Sequence, residues 1–171
     1  DVERSRGLGD VYKRQGARFS KWRAVITIGD NIPSMACLEA NAHGLARYAM
    51  LSQEAGIVPI VEPEVLMDGS HSIVRCYEVT ELAQRMTFQQ LKAQGVVLEG
   101  MVLKPSMVIS GADAGQRADV ETVARETVRC LLNTVPAAVP GIAFLSGGQS
   151  DTEASAHLSA CLLYTSDAAD E

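Results

Sequence analysis

Apolar residues follow two alternating patterns along this chain, one typical of buried strands and one typical of helices that are apolar on one side. The short apolar runs predict strands at residues 19–28, 57–64, 98–104 and 141–145. The predicted helices span residues 34–55 and 71–94 and begin at residues 119 and 150. This repeated order of strand and helix predicts an α/β fold with a parallel sheet and about four βα units.

The helical segments also predict which side chains face the core. Their apolar residues recur every three or four positions, which is the period of one helix face. The positions expected to point inward are Leu38, Ala42, Leu45 and Ala49 in the first helix, Val74, Tyr77, Phe88 and Leu91 in the second, and Val120, Val123, Thr127 and Leu131 in the third. The alanine-rich stripe of the first helix is typical of a helix that lies close on a sheet.

Composition narrows the class of protein. The 171 residues suffice for one domain but not for a complete eight-stranded barrel, which needs about 250. A net charge of −6 argues against a nucleic-acid partner, and no apolar run approaches the roughly 20 residues of a membrane helix. The four cysteines and three histidines lack metal-ligand spacing, so we expect reduced thiols, a cytoplasmic protein and no metal site.

Lys104 is the first candidate for chemistry. It lies in an apolar run that ends at Pro105, and we expect it at the C-terminal end of a strand, where parallel α/β folds keep their active sites. Burial or a nearby second cation would lower the pKa of this lysine and favour the free amine, which can attack a carbonyl to form an imine. A structural lysine whose head reaches solvent is the alternative.

Two pairs of charges lie on other predicted strands. Lys21 and Arg23 are two residues apart and therefore share one face, which suits a phosphate. Glu62 and Glu64 have the same spacing, and two close carboxylates can supply a general acid and base at neutral pH. A solvated strand end for the cations and simple ion pairs for the carboxylates stay open as alternatives.

The fourth predicted strand runs into a glycine-containing turn at residues 146–148. Consecutive glycines let the backbone approach a ligand closely, and Ser150 with Glu153 forms a capping-box pattern for the next helix. Because helix N-termini bind anions, we favour a phosphate site here over a tight turn without a ligand.

Several segments together resemble class I fructose-bisphosphate aldolase. The similarity covers residues 16–160 and rests on motifs in the family's order. The motifs are KWR, EANAHGLARYA, GIVPIVEPE, LEGMVLKP and FLSGGQS. The resemblance implies a (βα)8 TIM barrel that reversibly cleaves fructose 1,6-bisphosphate to dihydroxyacetone phosphate and glyceraldehyde 3-phosphate, without a metal or another cofactor.

The resemblance also implies a role for each candidate residue. Lys104 would form the imine, which is the electron sink for carbon–carbon cleavage, and Glu62 would be the general acid and base. Glu64 would be a supporting carboxylate and Lys21 a further polar partner in catalysis. The implied substrate-binding residues are Arg23, Ser146, Gly147 and Gly148.

The chain departs from the family pattern in its extent. Four βα units are recognisable where the family has eight, so we expect about half of a barrel, and the family's homotetramer is implied only for a full-length parent. Residues 1–15, an expected unstructured leader, and residues 161–171 match no family motif, and we expect both tracts to be foreign to the gene. With two open sheet edges, the polypeptide as written is expected to be poorly soluble and to have little or no aldolase activity.

Two other functions stay open. A non-catalytic interaction protein would keep the fold and lose the chemistry, although the retained lysine and glutamates count against it. An imine-forming aldolase for another sugar phosphate is disfavoured by the full set of motifs.

Overall fold

A computed structural model describes residues 15–167 and shows a parallel sheet with helices packed on one face. Its elements are β1 (Phe19–Ile26), α1 (Met35–Glu54), β2 (Val58–Val65), α2 (Ile73–Ala93), a 3₁₀ turn (Leu98–Gly100), β3 (Val102–Leu103), α3 (Val120–Thr134) and α4 (Asp151–Asp167). The predicted leader lies outside the described residues, apart from Gln15.

The strands lie in the order β1, β2, β3, and all of them are parallel. The eight residues of β1 pair with the eight of β2, and Arg23 lies opposite Glu62. β3 pairs with β2 through only two residues, with Leu103 opposite Val61. Because side chains alternate between the two faces of a sheet, this register puts the odd residues of β1 and the even residues of β2 on one face.

The third predicted strand is shorter than expected. Residues 98–100 form the 3₁₀ turn, because Glu99 and Gly100 are poor strand formers, and pairing begins only at Val102. Pro105 then ends the strand, because proline has no N–H to donate.

The fourth predicted strand, at residues 141–145, is wrong as a regular strand. One parallel bridge joins Ile142 to Leu103, and the N–H of Leu145 donates to the carbonyl of Pro105 at 3.2 Å. The segment therefore follows the edge of β3 without a continuous ladder, since β3 itself has only two paired residues.

Side-chain caps determine where three helices begin. Ser34, Ser72 and Asp119 each accept a hydrogen bond from the backbone N–H three residues later. The second helix therefore begins at Ile73, two residues after the predicted start at His71.

The main core lies between the sheet and helices α1 and α2. Ala24, Val61 and Leu103, one from each strand, belong to one buried cluster with Leu45 and Leu91. The prediction for α1 is confirmed, since all four of its inward positions are buried.

Two of the predicted inward positions are wrong. Val74 is 65% exposed and Val120 is 40% exposed. Both lie in the first turn of a helix. In α2 the neighbouring Ile73 packs against the core instead of Val74, and the first fully buried residues are Cys76 in α2 and Val123 in α3. The remaining predicted positions of these two helices are buried or partly buried.

A second layer packs α3 against α4. Val123 and Ala124 belong to a buried cluster that includes Cys161, whose side chain is 4% exposed. Residues 161–167 of the predicted foreign tail thus continue α4, while residues 168–171 lie outside the described part. Among the described helices, none combines the length and apolar character needed to cross a membrane.

Candidate active site

The face of the sheet opposite the helices carries five charged side chains, which we call the charged face. Its members are Lys21, Arg23, Glu62, Glu64 and Lys104. They come from β1, from β2 and from the end of β3, and the strand register places them together because their neighbours point to the apolar core. Five of the residues predicted from the sequence therefore meet in one cluster.

Glu62 lies at the centre of the charged face. Its Oε1 is 3.3 Å from Nζ of Lys104, and its Oε2 is 3.1 Å from Nζ of Lys21. Both contacts are ion pairs, and Oε2 makes no hydrogen bond within the part of the chain that the structure describes. The Glu62 side chain is 4% exposed, whereas Lys104 is 30% exposed. A buried carboxylate thus bridges two lysines and lies within reach of a proton on Lys104 or on a group attached to it.

Glu64 is held by the other cation of β1. Arg23 donates from Nε to Oε2 of Glu64, and this hydrogen bond, followed by the attraction of the Glu64 charge, raises the pKa of Arg23 above its usual value. Arg23 lies opposite Glu62 in the register but reaches forward to Glu64, and Lys21 reaches forward to Glu62 in the same way. The ion pairs left open by the sequence are therefore present, and each buried carboxylate has a cation.

Backbone contacts on both sides hold Lys104 in place. Its N–H donates to the carbonyl of Val61 at 2.8 Å, and beyond Pro105 the hydroxyl of Ser106 accepts a hydrogen bond from the N–H of Val65 at 3.1 Å. Ser106 is buried and ties the chain to β2 where Pro105 cannot. Sequence reasoning missed this role, although a hydroxyl directly after a strand-ending proline was the available signal.

The glycine turn follows on the other side of β3. Gly147 has φ +60° and Gly148 has φ +90°, a backbone conformation that favours glycine. The predicted capping box is confirmed, since the hydroxyl of Ser150 accepts from the N–H of Glu153 at 3.3 Å while the Glu153 carboxylate accepts from the N–H of Ser150. The turn thus leads into the N-terminus of α4, a position of the kind that binds anions, and phosphate binding there stays a prediction.

The turn and the charged face are neighbours but are not directly bonded. The N–H of Leu145 donates to the carbonyl of Pro105, the residue after Lys104, which brings the turn beside the end of β3. Between residues 15 and 167, no hydrogen bond or ion pair joins residues 146–148 to a side chain of the charged face. The same range contains no group of three or more His, Cys, Asp and Glu side chains arranged to hold a metal ion.

Parallel βα units with a lysine at the end of one strand and carboxylates on the neighbouring strand are typical of the barrel-enzyme class. A family model described as class-I fructose-bisphosphate aldolase matches residues 6–167. The chain belongs to this family. The match extends into both terminal tracts, and their foreign origin stays a prediction.

Two relatives illustrate the similarity. A probable fructose-bisphosphate aldolase class 1 of Xanthomonas axonopodis is 62% identical over 149 residues, which cover 87% of this chain and 45% of the relative. The cytosolic fructose-bisphosphate aldolase 4 of Arabidopsis thaliana is 54% identical over 157 residues, covering 90% of this chain and 40% of the relative. The chain therefore spans about half the length of the curated relatives it matches.

A solved structure confirms the predicted fold class. The Plasmodium falciparum fructose-bisphosphate aldolase, in a complex with TRAP and a small-molecule inhibitor, superimposes with a TM-score of 0.88 at 45% identity. The match covers 91% of this chain and 46% of that one. The fold is that of a partial (βα)8 barrel.

Proposed function

We propose that this chain carries the imine-forming centre of a class I fructose-bisphosphate aldolase, a glycolytic lyase. The enzyme would cleave fructose 1,6-bisphosphate reversibly to dihydroxyacetone phosphate and glyceraldehyde 3-phosphate. The observation that carries this proposal is the buried Glu62 carboxylate held between Lys104 and Lys21. Membership of the aldolase family supports the choice of substrate.

Lys104 is the nucleophile in this mechanism. Its unprotonated Nζ attacks the C2 carbonyl of the ketose, and the resulting carbinolamine loses water when Glu62 donates a proton to the departing hydroxyl. The product is a protonated imine. The 3.3 Å distance between Nζ of Lys104 and Oε1 of Glu62 supports this step, because it keeps the carboxyl group beside the nitrogen on which the carbinolamine forms.

The imine then accepts the electrons of carbon–carbon cleavage. Glu62, now a base, removes the proton of the C4 hydroxyl, the C3–C4 bond breaks, and its electron pair moves into the imine to give an enamine. The aldehyde leaves as glyceraldehyde 3-phosphate. Protonation of the enamine at C3 and hydrolysis of the imine release dihydroxyacetone phosphate and restore the amine.

The other charged residues position this pair and the substrate. Lys21 holds the second oxygen of Glu62, and Glu64 holds Arg23, whose side chain is 47% exposed and available to a phosphate. The glycine turn offers a second anion site on the far side of Lys104. Candidate phosphate sites on both sides of the lysine fit a sugar that carries a phosphate at each end.

The family resemblance also implies a cytoplasmic homotetramer. Relatives in Arabidopsis thaliana and pea are named cytosolic or cytoplasmic, which supports the cytoplasmic setting. The tetramer rests on the resemblance alone.

Imine trapping in a complete barrel tests the proposal. The test protein is a chimera in which residues 16–160 of this chain replace the matching segment of the Xanthomonas axonopodis relative. Borohydride with dihydroxyacetone phosphate should reduce the imine and leave a covalent adduct that peptide mass mapping assigns to Lys104. The chimera should also cleave fructose 1,6-bisphosphate.

Two lysine variants make the result specific. Lys104→Met should abolish both the adduct and turnover, whereas Lys92→Met should change neither, because Lys92 is an exposed lysine in the last turn of α2. A folded chimera without adduct or turnover would contradict the proposal and favour a non-catalytic interaction protein. Turnover of a different sugar phosphate in preference to the bisphosphate would favour the related aldolase.

A further inference from the structure

A chain of hydrogen bonds runs from a buried histidine in α4 to the glycine turn. His157 is 3% exposed, and its Nδ1 lies 2.5 Å from Oε1 of Gln149. Gln149 in turn donates to the carbonyl of Ser146, from Nε2 at 2.9 Å and from its backbone N–H at 3.1 Å. The proposed reaction uses neither His157 nor Gln149.

The partners fix the direction of every bond in this chain. The Ser146 carbonyl can only accept, so the amide nitrogen of Gln149 faces it and the amide oxygen faces His157. That oxygen can also only accept, so Nδ1 of His157 must carry the hydrogen. Burial lowers the pKa of His157, which favours the neutral ring.

The glycine turn needs such an external restraint. Gly147 and Gly148 have the greatest backbone freedom of any residue type, and their side-chain-free backbone cannot hold itself by packing. Gln149 is 8% exposed and bonds twice to Ser146, at the entrance of the turn. Cys161 lies one turn beyond His157 on α4 and packs in the cluster that includes Ala124 of α3. The helix that carries His157 is therefore held against α3.

We propose that His157 is a positioning residue for phosphate recognition. Acting through Gln149, it fixes the carbonyl of Ser146 and thereby aims the hydroxyl and N–H groups of residues 146–148 at a substrate phosphate. This inference rests on the proposed function, because it takes the glycine turn to be the phosphate site of that reaction. His157 itself touches no substrate in this scheme.

Two substitutions at this position form a matched pair. Asparagine carries its Nδ2 on Cγ, where histidine carries Nδ1, so His157→Asn keeps the donor, whereas His157→Leu places a methyl group there. In the chimera, His157→Leu should raise the dihydroxyacetone phosphate concentration for half-maximal trapping about three- to tenfold, as expected for one lost hydrogen bond. The concentration of unphosphorylated dihydroxyacetone for half-maximal trapping should not change in His157→Leu. In His157→Asn, the half-maximal concentrations of both ligands should stay within about twofold of the parent values.

Other outcomes would overturn the proposal. If His157→Leu left the dihydroxyacetone phosphate concentration for half-maximal trapping unchanged, the hydrogen bond between His157 and Gln149 would not serve phosphate recognition. An equal rise for both ligands, or an equal rise in both variants, would show a general structural role. Failure of the parent chimera to trap any ligand would instead contradict the proposed function.

Amide hydrogen exchange tests the hydrogen bond between His157 and Gln149 without any ligand. The N–H of Gln149 should exchange faster in His157→Leu than in His157→Asn, because loss of the histidine donor frees the glutamine side chain and loosens its bonds to Ser146. Equal exchange rates in the two variants would overturn the positioning role even if the protein proved not to be an aldolase.

Discussion

Two adjacent residues of β2, Val61 and Glu62, are both buried but by different means. Val61 is fully buried among apolar side chains of α1 and α2, whereas Glu62 is buried on the opposite face, between two lysines. Burying an apolar group is favourable by itself, but burying a carboxylate is costly unless cations or hydrogen-bond donors surround it. One face of the sheet therefore stabilises the fold, and the other needs a different explanation.

Stability does not account for the charged face. The attraction within a buried ion pair often only offsets the cost of desolvating its members, and apolar replacements are often at least as stable. Glu62 and Glu64 are nevertheless buried, each against a cation from β1, and Glu62 also contacts Lys104. The difference between the faces supports a chemical role for the charged residues.

The largest expected effect on stability comes from the apolar face. Leu91 in α2 is fully buried in the main core, so Leu91→Ala should lower the free energy of unfolding of the chimera by about 2–5 kcal/mol, measured by urea denaturation. At urea concentrations where the Leu91→Ala chimera remains folded, the concentration of dihydroxyacetone phosphate for half-maximal trapping should be unchanged. A large change in that value with little loss of stability would reverse the roles assigned to the two faces.

A smaller effect is expected from the second ion pair of the charged face. Glu64→Gln removes the charge that faces Arg23, but the Arg23 side chain is 47% exposed and can be solvated, so the loss of stability should be clearly smaller than that of Leu91→Ala. The carboxylate of Glu64 raises the pKa of Arg23 in the parent, and an arginine stays charged at neutral pH even without such a partner. A loss as large as that of Leu91→Ala would show that the charged face also carries the stability of the fold.

The smallest effect is a dependence of stability on pH. Burial lowers the pKa of His71 and of His157 below that of the unfolded chain, which is about 6.5, while Glu153 opposes and Arg117 reinforces the shift at His157. The unfolded state therefore binds more protons in this range, so the stabilisation is fully present above about pH 6.5 and is lost as the pH falls through the folded-state values. The melting temperature should fall on acidification.

A double variant checks the source of that dependence. With both His71 and His157 replaced by Asn, the melting temperature should depend less on pH between about pH 7 and pH 5 than it does in the parent chimera. Parallel melting curves for the two proteins across this range would assign the acid sensitivity to other groups.

The strand alternation of the sequence predicted the main features of the site. Two-residue spacing placed Lys21 with Arg23 and Glu62 with Glu64, and the structure has both pairs on one face with Lys104. This part was predictable because the side-chain period of a strand depends only on the local backbone. The pairing of Glu62 with both lysines was not predictable, since it depends on the register between strands.

Features that depend on tertiary contacts were missed or predicted wrongly. Val74 fits the helical period but is exposed in the first turn of α2, where Ile73 packs against the core instead. Gln149 and His157 are eight residues apart and carry no motif that joins them, although their side chains meet in the structure. Ser106 was overlooked for the same reason, because its partner Val65 belongs to another strand.

The most direct test of the account compares the two buried glutamates. Both are nearly fully buried and lie two residues apart on one face, but Glu62 contacts Lys104 and Glu64 contacts Arg23. In the chimera, Glu62→Gln should slow imine formation with dihydroxyacetone phosphate, followed by rapid borohydride quench and mass mapping of Lys104, by about 10²- to 10⁴-fold. Glu64→Gln should slow it far less. Equal rates in the two variants, or a slower rate in Glu64→Gln, would contradict the claim that Glu62 serves the lysine.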